Sequence, residues 1–230
     1  MLFRSLFLQF HDSLAGTSVP DHSNTAREGY GFALDTAKQA IAMAVQKLEW
    51  QIAAEDPDSQ YMVVFNPHAW EWQGVIEYDF NWGTMHRSSR VDDEKGNPLA
   101  HQWTAGTTET GSRKTLLVDA VVPAMGYRQI RLRDGESPVV ENAVKAEENL
   151  LENEFMQVRF SESGAISMVD KETGKAVFTG ENGCRALIID DPSDTWSHGI
   201  KTFDQVTGAF GNATVTIIET GPLRAIVRVV

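Results

Sequence analysis

The adjacent pair His11-Asp12 is where residue type and position in this 230-residue sequence best suit chemistry. An imidazole can bind a metal, and a catalytic zinc takes about three or four N/O protein ligands and keeps a position open for substrate. The pair falls where a helical pattern meets a loop containing Gly16, a place from which a side chain can point into a cleft. The plain alternative is a helix-end histidine capping carbonyls beside a solvated aspartate. The other histidines, His22, His68, His86, His101 and His198, show no metal spacing. No cysteine lies near His11 and His22, so no zinc site completed within this chain is expected.

Other chemically suggestive residues have structural explanations. Ser13-Leu-Ala-Gly-Thr-Ser18 sets a glycine among hydroxyls but lacks the lysine and glycine spacing of a phosphate loop, so it reads as a connector. Asp190-Asp-Pro-Ser-Asp-Thr-Trp196 clusters hard-ion ligands without the spacing and glycine of a calcium loop, and a turn held by local Asx hydrogen bonds is expected. Trp70, Trp72, Trp82, Trp103 and Trp196 can stack on sugar faces, although packing is the usual fate of tryptophan, as it is for Trp50. Cys184 reads as a small buried core residue.

These residues must be positioned by an ordinary folded chain. It is 42% apolar and 23% charged, which opposes disorder or a fibre. Twenty basic against 32 acidic residues leave a net charge of −12, which opposes binding to nucleic acid or an anionic membrane. A single cysteine cannot form an internal disulfide, so nothing requires an oxidising compartment, and a cytoplasmic location is the expectation. No run approaches a membrane span, and the apolar opening MLFRSLFLQF is broken by Arg4 and Gln9.

Leu2, Phe3, Leu6, Phe7 and Phe10 recur at helical steps and predict one amphipathic helix. A second, much longer helix is predicted from Asn24 to about Ala54, capped by Ser23 or Asn24 and stopped by Asp56-Pro57-Asp58. After Gln60 the pattern shortens to strand signals at Tyr61–Phe65, Val75–Phe80, His101–Thr107, Lys114–Val122 and Tyr127–Leu132. Turn chemistry separates them at Asn66-Pro67, Asn81–Gly83, Lys95–Pro98, Thr110-Gly111 and Pro123–Gly126. An acidic stretch without period follows. Further strands are expected at Phe155–Phe160, Ala165–Val169, Lys175–Phe178, Arg185–Ile189, Val215–Ile218 and Leu223–Val230. Both ends fall inside predicted elements, which suggests a piece of a longer protein.

Four segments in order resemble glycoside hydrolase family 38 α-mannosidases. Phe7-Leu-Gln-Phe-His-Asp-Ser-Leu-Ala-Gly-Thr-Ser18 resembles the family's "QFHD…G(T/S)S" segment. Val63-Val-Phe-Asn-Pro-His-Ala-Trp70 is similar to its entry into a small β-domain, and Val122-Pro-Ala-Met-Gly-Tyr127 to the turn near that domain's end. Leu151–Phe160, with Gly164-Ala-Ile and Asp170-Lys-Glu-Thr-Gly174, resembles the opening of its large C-terminal β-sandwich.

The resemblance implies an α+β, mostly β chain. Its expected organisation is a helical-bundle hairpin over 1–57, a small antiparallel β-sandwich domain over 58–134, a linker over 135–150, and over 151–230 the start of a large, galactose-mutarotase-like sandwich. It implies that the parent is a zinc-dependent, retaining α-mannosidase acting on mannose-containing oligosaccharides, with homo-oligomerisation left open. It implies that His11 binds Zn2+ and that Asp12 contacts substrate. The nucleophile, the acid/base carboxylate and most zinc ligands would lie in an upstream catalytic domain, so no catalytic residue is assigned in this chain. The competing expectation is a stand-alone, non-catalytic carbohydrate-binding or scaffolding β-sandwich protein.

Overall fold

The computed structural model describes residues 2–80, 89–106, 114–137, 144–178, 183–194 and 196–230. Trp82, His86 and the turns expected at Asn81–Gly83 and Thr110-Gly111 lie outside the described residues, as does the end of the strand expected to reach Thr107. The chain is α+β and mostly β. Three helices, α1 (Leu2–Phe7), α2 (His11–Leu14) and α3 (Pro20–Glu49), precede fourteen strands among the described residues. The chain divides into two compact units, one of Met1–Ala54 with Asp190–Asp204, the other of Glu55–Ile189 with Gln205–Val230.

In the first unit the expected single opening helix is broken. The backbone turns after Phe7, Phe10 takes an extended conformation (φ −55°, ψ 143°), and α2 starts at His11. The long helix starts at Pro20, four residues before the expected Asn24, and Ser23 and Asn24 lie inside it. Proline at the first helical position explains the earlier start: its φ is already helical and its missing N–H is one the first turn leaves unpaired. The Ser23 and Thr25 hydroxyls turn back to the carbonyls of Val19 and Asp21. At the other end the helix stops at Glu49, short of Ala54, and the N–H groups of Gln51 and Ile52 close tighter bonds to Leu48 and Glu49. Leu8 is buried where α1 approaches Gly29 of α3; a β-carbon there would lie 2.5 Å from Leu8 Cδ1. The Tyr30 hydroxyl donates to the Leu8 carbonyl (2.9 Å) and ties the same crossing.

The second unit opens with two three-stranded antiparallel sheets. One has the order β1 (Gln60–Asn66), β6 (Gly126–Asp134), β3 (Ser89–Asp92); the other β2 (Trp72–Phe80), β5 (Lys114–Val122), β4 (His101–Ala105). Met62, Val91, Ile130 and Leu132 of the first pack against Leu116, Val118 and Ala120 of the second. Alternation in β5 sends Leu116, Val118, Ala120 and Val122 to one face, while Thr115 and Leu117 on the other face are buried as well. The turn Pro123–Met125 carries the chain from one sheet to the other, with Met125 at φ 47°.

The first sheet also buries a charge. Asp92 is fully enclosed, with Arg90 Nε at 2.7 Å, Arg133 Nε and Nη2 at 2.9 and 2.8 Å, and Arg131 Nη2 at 3.6 Å. A buried carboxylate is tolerated only when paired in this way. It fastens the short β3 to β6.

A four-stranded sheet follows in the order β10 (Ile166–Asp170), β9 (Met156–Phe160), β8 (Leu150–Glu152), β7 (Lys145–Glu147). β7 lies within 135–150, the stretch read as a linker. Gly164 (φ +76°) closes the β9–β10 hairpin and Gly174 (φ +67°) the turn after β10, where side chains other than glycine are strained. The expected strand Lys175–Phe178 is reduced to a single bridge, Val169 to Ala176. Two hairpins complete the chain: β11 (Leu187–Ile189) with β12 (Val206–Ala209), and β13 (Val215–Glu219) with β14 (Ile226–Val229). Cys184 is exposed and at φ 54°, not a buried core residue, because it lies in a turn before β11 rather than on a strand face.

Candidate functional site

α2 is a single turn of helix whose first two residues are His11 and Asp12. The extended Phe10 sets its direction, and the Phe10 ring lies beside the His11 imidazole with centroids 4.2 Å apart. Gly16 (φ +71°) closes the turn after Ala15, with the Gly16 N–H donating to the Ser13 carbonyl. Asp12 accepts at its backbone carbonyl from the Thr17 N–H (3.2 Å) and hydroxyl (3.4 Å). Ser13 Oγ meets His22 Nε2 of α3 at 2.6 Å. Thus the connector Ser13–Ser18 anchors the turn to the long helix.

His11 Nε2 stands 3.5 Å from Asp12 Oδ1, and the two side chains are 77% and 40% exposed. The imidazole faces the neighbouring carboxylate; the backbone carbonyl of His11 takes the Ala15 N–H. The pair therefore presents a nitrogen and an oxygen donor to solvent from one helical turn. Such a donor set suits zinc but fills at most half of a tetrahedral shell. Among the described residues no three His, Cys, Asp or Glu side chains converge as a metal site.

The tryptophans divide by environment. Trp103 packs against Phe80 at the core (centroids 5.6 Å). Trp50, Trp70 and Trp196 are exposed. Trp70 stacks on His68 (4.8 Å, 14° between planes) in a loop pinned by Asn66, whose Nδ2 donates to the carbonyls of Trp70, Val122 and Pro123. Beside that loop lies an apolar cavity of about 200 Å³, lined among others by Phe65, Pro67, Trp72 and Val122.

Sequence reasoning misses one arrangement. In the loop after β11, Asp194 Oδ2 meets His198 Nδ1 at 2.7 Å, an i, i+4 pair, while Asp194 Oδ1 accepts from the N–H groups of Trp196 (3.0 Å) and His198 (3.2 Å). The His198 imidazole, its N–H and other backbone N–H groups hold the Asp194 carboxyl below the usual aspartate range. Asp191 similarly accepts from the Ser193 N–H and hydroxyl. Asp191 Oδ1 and the Asp194 carboxylate are thus tied into local Asx bonds. The Asp-x-x-x-His spacing is the available clue to the imidazole–carboxylate pair.

The fold is that of an α+β chain in which a helical arm precedes antiparallel β-units. Comparison with solved structures finds the same fold within two longer proteins. It is similar to a protein in the glycosyl hydrolase family 38 from Enterococcus faecalis, with a TM-score of 0.70 at 20% identity over 96% of this chain. It is also similar to an alpha-mannosidase from Enterococcus faecalis V583, with a TM-score of 0.67 at 20% identity over 96% of this chain. The chain spans 30% and 29% of those two proteins. No known family pattern matches the sequence, and no curated protein matches it. No described helix is long and apolar enough to cross a membrane.

Proposed function

We propose that this chain is a C-terminal or middle portion of a zinc-dependent, retaining α-mannosidase that hydrolyses α-mannosyl linkages in oligosaccharides. The observation that carries the reading is the fold match over 96% of the chain to a 30% share of a family 38 protein, with the QFHD segment in order within it. In this reading His11 contributes one nitrogen to a zinc shared with an upstream catalytic domain. Bound zinc would hold sugar hydroxyls and orient the ring for attack. Asp12, beside His11 and partly exposed, accepts hydrogen bonds from hydroxyls of the same sugar. The protein works in the cytoplasm.

Retention requires two carboxyl groups about 5 to 5.5 Å apart, one as nucleophile and one as acid/base. The family resemblance assigns those roles to no pair in this chain. The isolated 230-residue chain is therefore expected not to hydrolyse mannosides, with or without added zinc. The test reads a chromogenic α-mannoside with the pure chain, then with a product extended upstream along the coding DNA. Extension should restore zinc content and turnover, and His11→Ala in the extended protein should lower both by at least about tenfold. Turnover by the isolated chain that His11→Ala abolishes overturns the reading.

A second reading, a stand-alone carbohydrate-binding module, is favoured by exposed Trp70 stacked on His68 beside a cavity. Zinc-independent, saturable sugar binding that Trp70→Ala removes would select it.

A further inference from the structure

The loop joining β11 to β12, residues 190–205, is long for a connection between two paired strands. Structureless loops beyond about 12 to 15 residues in a folded domain are uncommon and usually functional. Most of it, Asp190–Asp204, groups with the helices that carry His11 and Asp12 and not with the β-unit whose strands it joins. Its exposed side chains include Trp196, at 62%, and His198.

Asp194 is the hub of the loop. Its carboxylate can only accept, so the His198 Nδ1 at 2.7 Å must carry the proton in that contact. The ring is then fixed in one tautomer with Nε2 pointing away from Asp194, able to accept from a hydroxyl when neutral. The backbone is held as firmly. Ser197 donates to the Asp194 carbonyl (2.9 Å) and Ile200 to the Ser197 carbonyl (3.1 Å), with Ser197 and Gly199 at positive φ. An oriented imidazole thus stands two residues from an exposed indole on a preorganised loop.

We propose that this loop is a carbohydrate-contacting arm, in which Trp196 stacks on the C–H face of a pyranose and His198 accepts a hydrogen bond from a sugar hydroxyl through Nε2. The ligand chemistry follows from what is left available. Hard cations need several carboxylates converging on one point, and among the described residues no three His, Cys, Asp or Glu side chains do so, while the Asp194 oxygens are engaged by the loop's own donors. An aromatic face with a few fixed polar groups suits a neutral polyol. The inference rests on the glycosidase reading above and extends its substrate contacts beyond Asp12.

The test titrates the 230-residue chain with methyl α-mannoside, methyl α-glucoside and methyl β-galactoside, reading indole fluorescence and the His198 imidazole resonances. The mannoside is expected to bind with a Kd on the order of millimolar, shifting the His198 signals and an emission component that Trp196→Phe lacks. Trp196→Ala and His198→Ala should each weaken binding about tenfold, while Trp50→Ala leaves it unchanged and circular dichroism confirms that each variant folds. Asp194→Asn should change the His198 tautomer and weaken binding less. Mannoside binding indifferent to both loop variants, or no binding by any glycoside, overturns the inference and leaves the His11 zinc test standing. Loop-dependent binding of glucoside or galactoside without mannoside keeps the arm and overturns the mannosidase reading.

Discussion

Single carboxylates in this chain are held by donors that a local turn brings round to them. Asp93, beside buried Asp92, is itself nearly buried; burial pushes its carboxyl up, but the Asn97 side chain (2.9 Å), the N–H groups of Asn97 (2.8 Å) and Lys95 (2.9 Å), and Arg128 outweigh it. The net direction is below the usual aspartate value, so the folded state prefers the charged form. Its stability contribution is complete above the unfolded value of about 3.9 and is lost as pH falls through the lower folded value. Urea midpoints measured from about pH 5 down to pH 2 should therefore fall more steeply for the wild type than for Asp93→Asn. At neutral pH the variant should be less stable by about 1 to 2 kcal/mol, for lost charge-assisted bonds. A flat difference across the range would show that Asp93 does not carry this pH dependence. The sequence announced the turn Lys95-Gly96-Asn97-Pro98 but not the carboxylate that anchors it, because the anchor acts through distances that only the closed turn defines.

At the scale of elements, one glutamine joins the β2–β5–β4 sheet to the last hairpin. Gln102 on β4 is buried, donates from Nε2 to Glu219 Oε1 (2.7 Å) and the Arg224 carbonyl (3.0 Å), and accepts at Oε1 from the N–H groups of Leu223 (3.0 Å) and Arg224 (2.9 Å). Arg224 adds ion pairs to Glu219 and, across to β2, Glu77. Gly221 leaves the room: a β-carbon there would fall 2.2 Å from Gln102 Cδ. Gln102→Ala should cost about 2 to 3 kcal/mol by stranding the loop donors, and exchange of the Leu223 and Arg224 amides should quicken well before that of β5. Unchanged protection at those two amides would refute the staple. The partners lie more than a hundred residues apart, so no local pattern in the sequence points to them. The longer strands β1, β2, β5 and β6 are legible from alternation and turns, whereas β3, β7, β8 and β12 are not. Three or four residues are too few to show a period, and these strands form because a neighbour offers its free edge.

At the scale of the molecule, the helical unit shows large apolar side chains to solvent. Phe7, Phe10, Leu14, Phe32, Ile41 and Trp50 are each more than half exposed. Exposure of this kind marks a surface meant for another surface. The chain is expected to self-associate with concentration in sedimentation velocity and to bind a hydrophobic dye, and Phe7→Ser with Phe10→Ser should reduce both. A monomer across micromolar to millimolar concentration would remove that expectation. The pattern suits the proposal that an upstream catalytic domain packs against these helices.

Taken by itself, the sequence determined the fold class, the long helix, the main strands and the ordered landmarks of a family 38 likeness, because periodicity and turn chemistry are local and survive in one dimension. The resemblance it carries also singled out His11 and Asp12, and their adjacency along the chain keeps them together on α2. The tertiary structure alone decided that the opening helix breaks at Phe10, that Asp92 gathers three arginines, that Gln102 holds a distant hairpin, and that Asp194 orients His198. The contacts of Asp92 with β6 and of Gln102 with the last hairpin depend on sheet register and chain reversal, which bring together groups far apart along the chain, whereas Asp194 and His198 leave their spacing as a clue.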